Sequence, residues 1–171
     1  MKKIFTLFAA VMLTATTAFA QFEIGGIVGG LNGASAKYWF GNEMAIQADL
    51  AVGLTQAAFE GGSIGMWDFT INPNFLYHFG LPANFKVYTG GGINFGMASM
   101  IVPAGYSYYY GSMPILGKFG INAVAGVSYD IPSVPLVLAF DFRPGYGMTF
   151  TDQYGGSFFD WKLAFAVRYK L

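Results

Sequence analysis

The sequence predicts an all-β chain: an eight-stranded antiparallel up-and-down transmembrane β-barrel, preceded by an N-terminal signal peptide. Three observations carry that expectation. Charged residues make up only 11% of the 171 residues while hydrophobic residues reach 54%, against about 25% charged in an ordinary soluble domain. Past residue 20, apolar residues recur at every second position over most of the chain, the period of a strand and not of a helix. The connections between these stretches alternate between tight and long, as in an up-and-down barrel.

Composition also excludes several functions. Nine Lys and Arg balance nine Asp and Glu, too few bases for a nucleic-acid partner. With no cysteine, disulfides, thiolate metal sites, Cys nucleophiles and an N-terminal lipidated Cys are all ruled out. The length suits one domain with a real core.

The first 20 residues are read as a leader. Met1-Lys2-Lys3 is basic, Ile4 to Leu13 is largely apolar, and Ala18-Phe19-Ala20 has the A-x-A cleavage pattern, the signature of a secretory signal peptide. Its apolar stretch is too short to span about 30 Å of hydrocarbon. Residues 21–171 then form the barrel.

Each strand follows from its alternation. Residues 22–30 and 35–40 give two short, Gly-diluted strands. Met44, Ile46, Ala48, Leu50, Val52 and Leu54 set one face of the third, with Gln47 and Asp49 on the other. Phe69, Ile71, Phe75, Tyr77 and Phe79 oppose Thr70, Asn72, Asn74 and His78 in the fourth. Phe85, Val87, Ile93, Phe95 and Met97 oppose Lys86, Tyr88, Gly90, Gly92 and Asn94 in the fifth. In the sixth, Phe119, Ile121, Val127 and Tyr129 oppose Lys118, Gly120, Asn122 and Gly126. Leu136, Leu138, Phe140 and Phe142 oppose Val137, Ala139, Asp141 and Arg143 in the seventh. The eighth is the clearest: Phe159, Trp161, Leu163, Phe165, Val167, Tyr169 and Leu171 against Asp160, Lys162, Ala164, Ala166, Arg168 and Lys170. Pro73 inside the fourth strand removes a ladder donor and is expected to mark a bulge.

Gly41-Asn42-Glu43, Gly80 to Asn84 and Asp130 to Val134 read as tight turns. Residues 57–67, 98–113 and 147–157 read as longer loops at the other end, and the first connection on that side, near Leu31 to Ala34, as short. Trp39, Tyr38, Phe40, Tyr77, Phe79 and Tyr129 are expected to form an aromatic girdle at the turn end. Trp67, Tyr146 and Tyr154 are expected to form one at the loop end.

Volume decides which face is greasy. An eight-stranded barrel encloses just enough room for its inward side chains. The apolar face carries several large residues on most strands and would overfill that space, whereas the Gly, Ala, Asn, Lys and Asp face fits it. A Lys or Arg facing mid-bilayer costs about 2–4 kcal/mol, and the alternation puts Lys37, Lys86, Lys118, Arg143, Lys162, Arg168 and Lys170 on the other face. The apolar face is therefore expected to meet lipid. A soluble barrel holding an apolar ligand is the alternative.

The signal peptide, strand count, loop asymmetry and a last strand running from Trp161 to Leu171 with alternating apolar residues resemble the small eight-stranded outer-membrane β-barrels of the OmpA/OmpX/OmpW type, over the whole of residues 21–171. The final strand looks like that family's assembly signal, with Leu171 as the last residue and the aromatic at Tyr169. The resemblance implies export to a bacterial outer membrane, outer-membrane lipid and the barrel-assembly machinery as partners, and a monomer. It implies a structural or surface-interaction role through the loops. A narrow channel for small solutes and an outer-leaflet lipid-modifying enzyme are the alternatives.

No residue takes a catalytic role, and no cofactor or metal is expected. His78 is the only histidine, so a multi-His metal site is impossible, and it falls at the turn end. Gly90-Gly91-Gly92 is not followed by Lys-Ser/Thr and opens no helix, which excludes a phosphate loop. The inward charges are expected to plug the lumen as an ion-pair network of Glu23, Lys37, Asp49, Asp141, Arg143, Asp160, Lys162, Arg168 and Lys170. A hairpin centred near residues 151–152 would set Asp141 across from Lys162 and Arg143 across from Asp160. Glu23 should meet Arg168 or Lys170 at closure, and Lys37 should face Gln47 or Asp49. Tyr106, Tyr108, Tyr109 and Tyr110 in the third long loop are the recognition candidates, since tyrosine offers a large contact area at low entropy cost; the other reading of the four, with the greater weight, is an aromatic girdle where the strands leave the membrane, together with Trp67, Tyr146 and Tyr154.

Overall fold

The computed structural model describes residues 22–59, 62–101, 115–150 and 155–171. The expected signal peptide, Tyr154 and the four loop tyrosines Tyr106, Tyr108, Tyr109 and Tyr110 lie outside the described residues. Eight strands follow one another around a closed barrel: β1 (Phe22–Gly29), β2 (Asn32–Phe40), β3 (Met44–Phe59), β4 (Gly62–Gly80), β5 (Phe85–Ile101), β6 (Leu116–Asp130), β7 (Leu136–Phe150) and β8 (Gly155–Lys170). Every neighbouring pair is antiparallel, and β1 closes on β8 from Glu23↔Lys170 to Gly29↔Ala164. Closure satisfies the backbone of each stave through its two neighbours, the only arrangement of strands that a bilayer core accepts.

The period-two pattern maps directly onto the wall. On β8, Phe159, Trp161, Leu163, Phe165, Val167 and Tyr169 are all exposed, as is Leu171 just past its end, while Ala164, Ala166 and Arg168 between them are buried. The same holds on β7, where Phe140 and Phe142 face out and Val137, Ala139, Asp141 and Arg143 face in. Glu23, Lys37, Gln47, Asp49, Asn72, Asn74 and His78 are likewise buried. A polar interior inside an apolar exterior inverts the usual soluble arrangement. It is the arrangement of a transmembrane barrel, with the apolar face toward lipid.

One end of the barrel carries the connections 41–43, 81–84 and 131–135. Gly41 (φ 77°), Ala83 (φ 60°) and Asn84 (φ 63°) adopt the left-handed conformation that tight turns need. At the other end the strands run further than their alternation suggests. Phe59 pairs with Gly62 and Phe150 with Gly155, so the expected loops 57–67 and 147–157 are mostly strand. β5 runs on to Ile101, so the start of the expected loop 98–113 is strand, and β2 already begins at Asn32. Alternation fades there because Gly, Ser and Thr replace apolar residues, yet backbone pairing requires no particular side chain once the ladder leaves the apolar band.

Pro73 does not mark a bulge. Asp49↔Asn72, Ala48↔Pro73 and Gln47↔Asn74 run without an extra residue on the β3 side, and Ile71↔Phe95 and Asn74↔Gly92 keep one register on the β5 side. A bulge needs two residues opposite one. The proline only interrupts local pairing with β5, where its missing N–H would have donated.

Candidate functional site

The barrel interior is the only place where the described residues bring charged chemistry together, and it is organised in levels. At the turn end Asp130 accepts ion pairs from Lys170 (2.8 Å) and Lys86 (3.2 Å), all three partly exposed. Lys86 also lies 4.6 Å from the centre of the Trp39 ring, a cation–π contact.

Deeper in, Trp39 is buried and its Nε1–H donates to Glu23 Oε1 at 2.8 Å. Trp39 therefore belongs to the lumen and not to the expected girdle. Tyr38 and Phe40 occupy the outward positions on either side, and period two leaves Trp39 no choice. Its ring packs 4.2 Å from His78, which packs 4.8 Å from Tyr88. Lys37 Nζ stands 3.2 Å from His78 Nε2 and 4.7 Å from the centre of the Tyr88 ring. The His78 backbone N–H donates to Glu43 O at 2.7 Å. His78 is thus a packed interior residue held by neighbours on β2 and β5.

The middle level holds the strongest electrostatics. Arg143 on β7 donates from Nη1 to Asp49 Oδ2 on β3 at 2.7 Å. It also donates from Nε to Asp141 Oδ2 at 3.1 Å, with Nη2 on the same oxygen. In the ring order β3 and β7 stand four staves apart either way, so this side chain crosses the full bore. Gln47 Nε2 donates to both oxygens of Asp49, at 3.2 and 3.1 Å. Tyr88 on β5 reaches over β6 to donate its hydroxyl to Asp141. Tyr88 pairs with Gly126, and Gly126 with Asp141. A Cβ at Gly126 would lie 2.5 Å from Tyr88 Cζ, so glycine is what lets the ring lie across. Leu76, Tyr88 and Val124 pack beside this level as a small apolar cluster.

Toward the loop end, Lys118 on β6 donates to Asp68 Oδ2 on β4 at 2.8 Å and lies 4.0 Å from Asp160 on β8. Lys162 pairs with Asp160 at 2.9 Å. Below it, Asn122 Nδ2 donates to Asn74 Oδ1 at 2.6 Å, and Asn72 Nδ2 to Thr70 Oγ1 at 3.1 Å. Among the described residues no group of three or more His, Asp or Glu could hold a metal.

Two expected pairs are absent. The β7–β8 register sets Arg143 across from Lys162, Asp141 across from Ala164 and Asp160 across from Gly145. The hairpin is therefore centred one residue later than expected, sliding the partners by two. Such a slide leaves every side chain on its own face, so alternation does not report it. Asp141 and Arg143 pair with each other along β7, Asp49 takes the far end of the guanidinium, and Lys162 takes Asp160. At closure Glu23 lies opposite Lys170, and Lys37 opposite Gln47. Arg168 donates from Nε to Ser35 Oγ at 2.8 Å. Tyr88, Lys118 and Asp68 join the interior network beyond the expected set. Alternation places Tyr88 and Lys118 on the inner face, but gives no hint of whom they would meet.

No protein-family model matches the chain, and no curated protein matches it in sequence. Solved structures do. The chain is similar to a major outer membrane protein from Thermus thermophilus, with a TM-score of 0.54 and 14% identity over 89% of this chain and 99% of that one. The chain has the fold of the small eight-stranded outer-membrane β-barrels. Neisserial surface protein A (NspA) gives a TM-score of 0.53 and 17% identity over 89% and 96% of the two chains. The N-terminal β-barrel domain of Pseudomonas aeruginosa OprF gives 0.51 and 16% over the same shares.

Proposed function

We propose that this chain is a non-enzymatic outer-membrane protein of a double-membraned bacterium, delivered by a cleaved signal peptide and inserted by the barrel-assembly machinery. It works as a monomer surrounded by outer-membrane lipid. Its role is structural or surface-interacting, exercised through the connections at the loop end, foremost residues 102–115 with Tyr106, Tyr108, Tyr109 and Tyr110.

The observation that carries this is the blocked bore. Asp49, Leu76, Tyr88 and Asp141 are inaccessible to solvent and Arg143 nearly so, and Arg143 ties one wall of the barrel to the opposite one. A conducting lumen would need a continuous wet path, and moving Arg143 aside would strand a charge in low dielectric. The small-solute channel is therefore the weaker role. For lipid chemistry, the sole histidine is enclosed by Trp39, Lys37 and Tyr88 at the end opposite the long connection. The similar structures include proteins named as a surface protein and as a major outer membrane protein, which agrees with this role.

The test is paired. Purified protein in planar bilayers is expected to give no steady conductance, and a reproducible ohmic step would refute the plugged lumen. Cells carrying a deletion of residues 104–112 are expected to keep a heat-modifiable band in the outer-membrane fraction while losing surface binding to host or envelope ligands. Retention of all binding by that deletion would refute the loop assignment.

A further inference from the structure

The staves of the barrel are unequal. β1 and β2 have 8 and 9 residues, whereas β3 to β8 have 15 to 19. At the loop end β1 stops with Gly29 opposite Ala164, and β2 starts with Asn32 opposite Val52. Beyond that level β8 continues to Gly155 and β3 to Phe59, paired with β7 and β4 at every residue. Among the described residues neither extension has a strand on its other side. The rim therefore has a gap two strands wide between β8 and β3, about 14 Å at three strand spacings. Leu31, in the turn at the foot of the gap, is buried in one cluster with Ala51 and Ala164, which closes that foot toward the lumen.

Both sides of the gap are open hydrogen-bonding ladders. The Leu163 carbonyl accepts from Gly30 N–H at 2.7 Å, and backbone groups repeat their direction every second residue. The N–H and C=O of Trp161, Phe159 and Ser157 therefore point into the gap. The Gly156 carbonyl, out of phase by one, faces β7 and accepts from Thr149 Oγ1. On β3 the Leu50 carbonyl faces Gly33 of β2, so the same repeat aims the backbone of Leu54, Gln56 and Ala58 into the gap from the other side. Exposed edges are ordinarily blunted by lysine, proline or a bulge. Residues 53–59 contain no charge and no proline, and the only charges in 155–162, Asp160 and Lys162, pair with each other at 2.9 Å on the inner face. Phe159 and Trp161 are 70% and 64% exposed, against 39–48% for Leu163, Phe165, Val167 and Tyr169, where β1 flanks the strand.

We infer that this gap is a docking site for a β-hairpin of another protein at the cell surface, which completes the rim by pairing with β8 on one side and β3 on the other. β3 runs toward the loop end and β8 runs away from it. A hairpin entering from outside, with its turn toward Gly30 and Leu31, is therefore antiparallel to both edges. Its outward side chains are apolar, to lie beside Phe159 and Trp161, and its inward ones polar, to lie beside Asp160 and Lys162. The inference rests on the surface-interacting role proposed above and gives the partner its chemistry.

The probe is a synthetic hairpin peptide with an Asn-Gly turn and strands that alternate valine with threonine, added to the isotope-labelled protein in detergent micelles. Amide hydrogen exchange is the readout. Without peptide, the amides of Phe158, Asp160 and Lys162 are expected to be protected by β7, while those of Ser157, Phe159 and Trp161 exchange freely. With peptide at about ten times its dissociation constant, exchange at these three is expected to slow about tenfold. Ser157→Pro removes a gap-facing N–H and no bond to β7, so it is expected to keep the compact, heat-modifiable band and lose the response. Gln56→Pro is expected to weaken the response from the β3 side, and deletion of residues 104–112 to leave it intact. Exchange unchanged by peptide, an undiminished response in both proline variants, or protection of the three amides that rises with protein concentration alone would each overturn the site. If the peptide response is flat while the 104–112 deletion still abolishes surface binding, the docking site fails and the surface role stands.

Discussion

Replacing Asp141 by alanine is the sharpest probe of the interior. The carboxylate is fully buried and accepts from Arg143 Nε, from Arg143 Nη2 and from the Tyr88 hydroxyl. In Asp141→Ala the guanidinium keeps Asp49 at 2.7 Å, so its charge is still paired, but Nε and Nη2 of Arg143 and the tyrosine hydroxyl lose their acceptor. Two groups left unsatisfied at about 1–3 kcal/mol each give an expected loss of about 3–4 kcal/mol, the lower part of the range for breaking a buried pair. Arg143→Met is expected to cost at least as much, because it leaves both Asp49 and Asp141 uncompensated. The double replacement should lose less than the two singles together, with a coupling of about 1–3 kcal/mol. Lys162→Met serves as the control. Its ion pair with Asp160 is partly exposed and it does not touch Asp141, so the expected loss is under about 1 kcal/mol. Urea unfolding in detergent micelles, followed by tryptophan fluorescence, measures all four. A value for Asp141→Ala within about 0.5 kcal/mol of the unaltered protein, the scale of an ordinary surface change, would refute the reasoning. So would a Lys162→Met loss equal to that of Arg143→Met.

Gly126→Ala drives a methyl group against the Tyr88 ring and is expected to lower stability by about 1–3 kcal/mol. Adding Tyr88→Ala should recover part of that loss in the same unfolding assay. Phe140→Lys puts a charge on the outward face of β7 and is expected to cost about 2–4 kcal/mol of folding into bilayers, whereas unimpaired folding would mean that this face does not meet lipid. Unheated, mildly extracted protein is expected to run as a compact, faster band than boiled protein on a denaturing gel; identical mobility would count against a stable closed barrel.

Eight strands, their order and the facing of nearly every residue were legible in the chain alone, because a strand turns its side chains with a period of two and the bilayer demands that one face be apolar. Phe165 and Ala166, or Phe140 and Asp141, declare their sides by composition alone. Strand ends were not legible. At Phe59–Gly62 and Phe150–Gly155 the ladder continues through residues whose side chains carry no pattern, and only backbone pairing defines it. Register was legible only modulo two, so Arg143 could be set against Asp160 or against Lys162 without violating any facing.

What the sequence by itself determined is therefore the kind of object: a closed antiparallel barrel with grease outside and charge within, since alternation, volume and the scarcity of charge all constrain the same face. What only the tertiary structure decided is who meets whom inside. Arg143 with Asp49, Tyr88 with Asp141 and Lys37 with His78 join strands two to four staves apart, separated in the chain by 94, 53 and 41 residues. Those contacts depend on the curvature of the closed wall and on the reach of long side chains across the bore, and a period-two pattern contains neither.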